Sequence, residues 1–184
     1  MEATDILMDE HRLIEHVLDA LERRALSLQQ GTVVRIEFFL DAVDFIRNFA
    51  DGCHHRKEEG ALFPAMIEAG IPKDNSPIAV MLGEHEQGRI FNRGMEKAAK
   101  AIRTGGTADR EDLIRNALGY VALLRQHIRK ENEILFPMAE RVIPPAAQNK
   151  LAVEFERIER EETGAGVHEK YHAMAEAMAE EAAE

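Results

Sequence analysis

The chain predicts an all-α protein, an antiparallel four-helix bundle with a further helical segment at its C-terminal end. Three observations carry this. Long segments rich in Ala, Leu, Glu, Lys and Arg space their apolar residues three and four apart, the period of a helix with one buried face, and no run alternates as a half-buried strand does. The prolines and glycines sit mainly at a few boundaries between those segments. Finally, one phrase is written twice. His54-His55-Arg56-Lys57-Glu58-Glu59-Gly60-Ala61-Leu62-Phe63-Pro64 returns as His127-Ile128-Arg129-Lys130-Glu131-Asn132-Glu133-Ile134-Leu135-Phe136-Pro137, with the His, Arg, Lys, Glu, Leu, Phe and Pro all 73 residues on. A Glu-His pair precedes each copy, Glu10-His11 and Glu84-His85. The bundle is therefore expected over residues 4–141 as two repeat-related helical pairs, with 142–184 added to it in one domain.

The first helix opens at Thr4 or Asp5, either of which can cap it, and runs to about Gln30, where Gly31 stops it. Its stripe is Leu7, His11, Ile14, Leu18 and Leu21; His16 falls about 140° round from His11 and faces elsewhere. The second helix covers about 33–69, with Leu40, Val43 and Ala50 on the face that carries His54 and Glu58, and with Pro64 able to kink it. Residues 70–77, bounded by Gly70 and Pro77, are a break. The third helix, from about Ser76 to Arg103, sets Ile78, Met81 and Leu82 beside His85; beyond it the face turns small and polar at Gly88 and Asn92, leaving room for a small ligand. The fourth, about 109–141, is capped by Thr107 or Asp109 and carries an inner stripe of Leu113, Ala117, Tyr120, Leu124, His127, Glu131, Ile134 and Met138. Pro145 suits the first turn of the last segment, which breaks at Gly164-Ala165-Gly166. Leu151, Phe155 and Ile158 give its first half a face to dock, whereas its second half, with Met174 and Met178, has the weaker claim on the core.

A net charge of −11, with Lys and Arg dispersed among the acids, argues against a nucleic-acid partner. The lone Cys53 excludes an internal disulfide framework and suits a reducing compartment. Without a basic leader or a long apolar run, the expectation is a soluble, cytoplasmic protein, monomeric by default and free of the membrane.

The repeat carries the chemistry. Residues four apart on a helix stand one above the other, so His54 with Glu58, and His127 with Glu131, can each point inward together. His11 and His85 supply imidazoles from the other two helices. Burying two carboxylates in an apolar bundle costs several kcal/mol each unless a cation compensates. A dinuclear metal centre compensates directly, since each carboxylate can bridge two ions. Imidazole and carboxylate without thiolate suit iron, manganese or zinc, and two carboxylates from related helices point most naturally to a pair of irons.

At these residues the sequence resembles the hemerythrin-like (HHE cation-binding) domains, over about residues 4–141. The resemblance rests on His11, His54-x-x-x-Glu58, His85, His127-x-x-x-Glu131 and the Leu-Phe-Pro trailing each His-x-x-x-Glu. It implies that the four histidines are iron ligands and that Glu58 and Glu131 are bridging carboxylates, beside an oxo or hydroxo bridge. Oxygen-carrying hemerythrins place a second histidine four residues after the one on the third helix, where this chain has Arg89. In that respect the pattern is closer to the Repair of Iron Centers proteins and other bacterial hemerythrin-like domains. The resemblance thus implies that O2, peroxide or nitric oxide binds at the iron in defence against oxidative or nitrosative stress, with a redox partner that the sequence does not identify.

His168, His55 and Glu59 are further candidates, as an extra ligand or as a group behind the ligands. His55 and Glu59 share a face with Asp44, Asn48 and Asp51 that reads as solvent-facing. His168, four residues before His172, could reach over the open end of the bundle and replace the imidazole lost at Arg89. Two classes of function stay open: turnover of peroxide or nitric oxide, and non-catalytic storage, sensing or delivery of iron or oxygen. A proton donor over the open position would favour the first, and His168 is the candidate for it.

Overall fold

The computed structural model describes residues 3–106, 109–164 and 166–183. Among these, six helices follow one another: α1, Ala3–Gln29; α2, 36–68; α3, Pro77–Arg103; α4, 110–142; α5, 145–163; and α6, Val167–Ala183. The all-α bundle expected from the sequence is the fold. Among the described residues, no helix is long and apolar enough to cross a membrane.

Helix ends follow local chemistry, with two differences from expectation. Ser76 caps α3 by accepting from the Ala79 N–H at 3.4 Å, and Pro77 occupies the first turn, where its missing N–H costs nothing. Thr4 lies inside α1 instead of capping it; its hydroxyl donates to Glu140 at 2.7 Å and ties α1 to α4. Asp109 precedes α4 but makes no side-chain capping bond. Thr107 and Ala165 lie outside the described residues.

Helices α2 and α4 are each interrupted by π-helical turns, Ile46–His55 and Glu58–Leu62 in α2 and Glu131–Leu135 in α4. The last two sit at equivalent repeat positions, immediately before Phe63-Pro64 and Phe136-Pro137. Proline has no N–H to donate four residues back, and its ring crowds the carbonyl there. The chain widens ahead of it: the Phe63 and Phe136 N–H groups donate to the carbonyls of Glu58 and Glu131, five residues back.

The extra residue of each wide turn resets the face that follows. Ile134, expected on the inner stripe, is 52% exposed, and Leu135 and Ala139 point inward in its place. In the same way the π turn Ile46–His55 shrinks the angular step per residue and swings His55 round toward the face of His54.

Around the bundle α1 packs on α4, α4 on α3 and α3 on α2, while α6 lies in the seam between α1 and α2. Gly94 and Gly119 let α3 and α4 approach closely: a Cβ on either would overlap Asn116 or Phe91, at 2.3 Å and 2.6 Å. The C-terminal segment is more fully used than its composition suggested, since Tyr171, Ala175 and Met178 of α6 are all buried.

The apolar interior is in two parts. One gathers Ile14, Leu18, Phe38, Phe49, Leu124 and Ile128, with α6 against it; the other gathers Leu7, Leu62, Met81, Leu135 and Phe136, with Phe155 and Ile158 of α5 against it. Along every bundle helix the chain passes from one part to the other across a buried polar residue. His11 lies between Leu7 and Ile14, His85 between Met81 and Met95, and each His-x-x-x-Glu ends just ahead of Leu62 or Leu135. A polar layer thus divides the core at mid-height.

Candidate metal centre

That layer holds His11, His54, His55, Glu58, His85, His127 and Glu131, every one of them at most 4% exposed. Their donor atoms form two adjoining groups. His11 and His54 gather with Glu58 and Glu131; His55, His85 and His127 gather with Glu58. Each glutamate spans both. Glu58 presents Oε1 to His54 Nε2 at 3.6 Å and Oε2 to His85 Nε2 at 3.3 Å. Glu131 presents Oε2 to His11 Nε2 at 3.2 Å and Oε1 to His127 Nε2 at 3.1 Å. Ligand atoms roughly 2.1 Å from one ion, at angles near 90–110°, stand about 3.0–3.4 Å apart, close to the 3.1–3.6 Å found here.

The outer nitrogens explain why the inner ones are free. His54 Nδ1 meets Glu10 at 3.0 Å, His127 Nδ1 meets Glu84 at 2.9 Å, His85 Nδ1 meets Glu59 at 2.7 Å and His11 Nδ1 meets the Asn132 amide oxygen at 2.8 Å. These oxygens accept, so each Nδ1 carries a proton, and the neutral ring, the form that binds a metal, turns the Nε2 lone pair to the centre. With both rings neutral, His85 and His127 would face each other lone pair to lone pair, Nε2 to Nε2 at 3.2 Å, a repulsion that a proton on one ring or a cation between them relieves. The Nε2 atoms of His11, His54 and His55 and all four oxygens of Glu58 and Glu131 have no hydrogen-bond partner. Leaving so many buried polar atoms unpaired costs on the order of 1–3 kcal/mol each. The donor set therefore fits a pair of metal ions: it satisfies every one of these atoms and neutralises the paired carboxylates.

The braces obey the repeat but cross between helices. Glu10 and Glu84 stand beside His11 and His85 in sequence, yet they hold His54 and His127, because neighbours on a helix point apart. Lys57 and Lys130, three residues after those histidines, bind the same two glutamates from the far side. Glu59 and Asn132 follow Glu58 and Glu131 and hold the histidines of α3 and α1. Replacing Glu84 with Gln is expected to weaken metal binding about 10–100-fold, as loss of such braces does elsewhere; competition with a chelator measures this, and unchanged affinity would dismiss the brace.

His55 departs most from the sequence reading. It is 4% exposed, its ring stacks on His85 at 3.9 Å, and its Nδ1 approaches Asp51 at 3.4 Å. Its repeat partner is Ile128, so only one half of the centre has it. It stands where the sequence led us to look for His168. That residue instead meets Phe49 and groups with Glu10 and Glu159, outside the buried layer. His172 pairs with Glu176 on α6 at 3.4 Å. The usable signals for His55 were the doubled histidine and the Asp51-x-x-x-His55 spacing; the wide turn that swings it inward was not legible.

Charge follows burial and neighbours. Burial opposes a cation on His127, yet Glu131 and Glu84 outweigh it and hold its pKa up at about 10. Against burial, Glu131 raises His11, and Glu58 with Glu59 raises His85. Burial, reinforced by the like charge of Glu131, raises Glu58, while burial lowers His54 and His55. Burial also opposes ionisation of Glu131, but His127 and His11 hold it well below the usual carboxylate range.

Comparison with known proteins agrees with this geometry. Three uncharacterized proteins, from Mycobacterium bovis and two strains of Mycobacterium tuberculosis, are 24% identical over 162 residues, 88% of this chain. The chain spans 63% of the length of these curated relatives. No solved structure matches. The hemerythrin HHE cation-binding domain matches residues 2–139, three quarters of the sequence, and to that family the chain belongs.

Proposed function

We propose that the chain holds a di-iron centre, bridged by Glu58 and Glu131, that binds O2, peroxide or nitric oxide in defence against oxidative or nitrosative stress. The observation that carries this reading is the sharing of the two carboxylates, each with one oxygen toward each histidine group. His11 and His54 would serve one iron, and His55, His85 and His127 the other. Iron bound there supplies Lewis acidity and reversible electron transfer. The protein's own part is to fix the imidazoles through Glu10, Glu59, Glu84 and Asn132, and to exclude water with an apolar layer above and below. Zinc or manganese suits the same donors and is the alternative occupant.

A non-catalytic protein that stores, senses or delivers iron or oxygen is the second reading. It is favoured by the position of His168, which falls in neither histidine group and so leaves the proposed proton donor away from the centre. Metal content, with the optical spectrum before and after hydrogen peroxide, tests both. Two irons per chain with near-ultraviolet bands that change on peroxide support the redox reading. Two irons indifferent to peroxide and nitric oxide support the second, and zinc alone from iron-rich growth defeats both.

Loading should release protons. At pH 7 the metal-free site holds a proton on His127, and raised pKa values favour protons on His11, His85 and Glu58 as well. An ion can bind only when these leave. Affinity is therefore expected to rise with pH, with more than one proton released per chain at pH 7. Calorimetry in buffers of different ionisation enthalpy reads that number, and a value of zero would contradict the assigned ligands.

A further inference from the structure

A cavity of about 300 Å³ opens from the surface between α2 and α3 and ends on His55 and His85. Arg47, bonded to Glu96, and Arg93 stand among its walls. Arg89 braces another wall, binding Asp51 at 2.9 Å and Glu59 at 2.8 Å. Gly88, Asn92 and Tyr120 line it further.

Two observations point to a ligand. Tyr120 Oη and Asn92 Oδ1 are buried in this lining without a hydrogen-bond partner. Asn92 spends its Nδ2 on the Val43 carbonyl at 3.3 Å, which leaves the oxygen as a free acceptor. Burial holds the Tyr120 phenol protonated and therefore a donor. Second, the repeat closes the corresponding place in the other half. The counterparts of Gly88 and Asn92, 74 residues earlier, are Ile14 and Leu18, both packed in the core. The chamber exists on one side because small and polar residues stand there alone.

We propose that this chamber binds an alkyl hydroperoxide, R–O–O–H, against the metal centre, with Tyr120 donating to a peroxide oxygen and Asn92 Oδ1 accepting from the O–H. The role at the centre rests on the iron reading above; the chamber itself does not. Dioxygen and nitric oxide have no hydrogen to donate and leave Asn92 unpaired. Hydrogen peroxide can pair with both groups, but the volume equals that of about ten liquid waters at ~30 Å³ each. In the remainder, Ile46, Gly88 and the Tyr120 ring give an apolar stretch beside the charged Arg47, Arg89 and Arg93, and that stretch suits a small alkyl substituent.

The test uses tert-butyl alcohol, an unreactive molecule with the same O–H and alkyl group, and saturation-transfer NMR on the iron-loaded full chain. Tyr120→Phe and Asn92→Leu should each weaken binding about tenfold, the scale of one lost hydrogen bond in a buried site. Gly88→Ile, which copies the closed half of the repeat, should abolish it; a Cβ there meets Tyr120 and Leu124 at only 3.5 and 3.6 Å, ordinary contacts. The same variant should lower the ratio of reactivity toward tert-butyl hydroperoxide over hydrogen peroxide at least tenfold, with iron content unchanged. Equal alcohol binding by the wild type and the three variants overturns the proposal. A wild-type chain that takes up no iron yet binds the alcohol, with that binding lost in Gly88→Ile, overturns the metal reading and upholds the chamber.

Discussion

If the chain holds the two irons proposed above, Glu131→Ala is expected to reduce bound metal to fewer than one ion per chain while the helical content stays intact. Glu131 is fully buried and presents one oxygen to His11 and the other to His127, so in the proposed centre its loss would strip a donor from both ions at once. Each ion would also lose part of a shared negative charge in a buried layer, where an unneutralised cation is costly. The metal-free fold should tolerate the change, because the two apolar parts of the core lie above and below this residue. Elemental analysis together with circular dichroism reads both quantities. Two ions retained by the folded variant would show that Glu131 is no bridge.

Lys57→Met should destabilise the protein by about 3–5 kcal/mol, the usual cost of stripping one partner from a buried ion pair. Lys57 is 0% exposed and binds Glu10, itself 3% exposed, together with Glu159 of α5. Removing the ammonium leaves Glu10 buried beside His54 with its charge uncompensated. The repeat provides the control. Lys130 makes the same bond to Glu84, but its side chain is 35% exposed, so water can replace it and Lys130→Met should cost less than ~1 kcal/mol. Urea denaturation of the metal-free variants measures the contrast. Adding Glu10→Gln to Lys57→Met should recover much of the loss, since it removes the stranded charge. Equal costs at Lys57 and Lys130 would refute the burial argument.

These two residues show how unevenly the molecule can be read from its sequence. The repeated phrase sets both Lys57 and Lys130 between an arginine and a glutamate, three residues after a histidine, and that shared pattern does not separate them. What separates them is α5, which folds back with Glu159 over one seam and leaves the other open. His55 and Ile134 make the same point for the helices themselves. A uniform helical period puts His55 toward solvent and Ile134 inside; the π turns reverse both. Pro64 and Pro137 advertise an irregularity, but sequence does not say whether the helix kinks or widens there.

The sequence alone determined the all-α bundle, its two-fold internal repeat, and the six residues His11, His54, Glu58, His85, His127 and Glu131 that the structure gathers at mid-height. Those are properties of spacing: four residues bring side chains to one face of a helix, and a repeat brings two such faces together. Only the tertiary structure decided which glutamate braces which histidine, that His55 joins the layer, that α6 fills the seam of α1 and α2, and that the room foreseen at Gly88 and Asn92 opens between α2 and α3 onto His55. Each of these depends on contacts between helices distant in sequence, or on a local change of helical pitch, and neither is encoded in the period of a single helix.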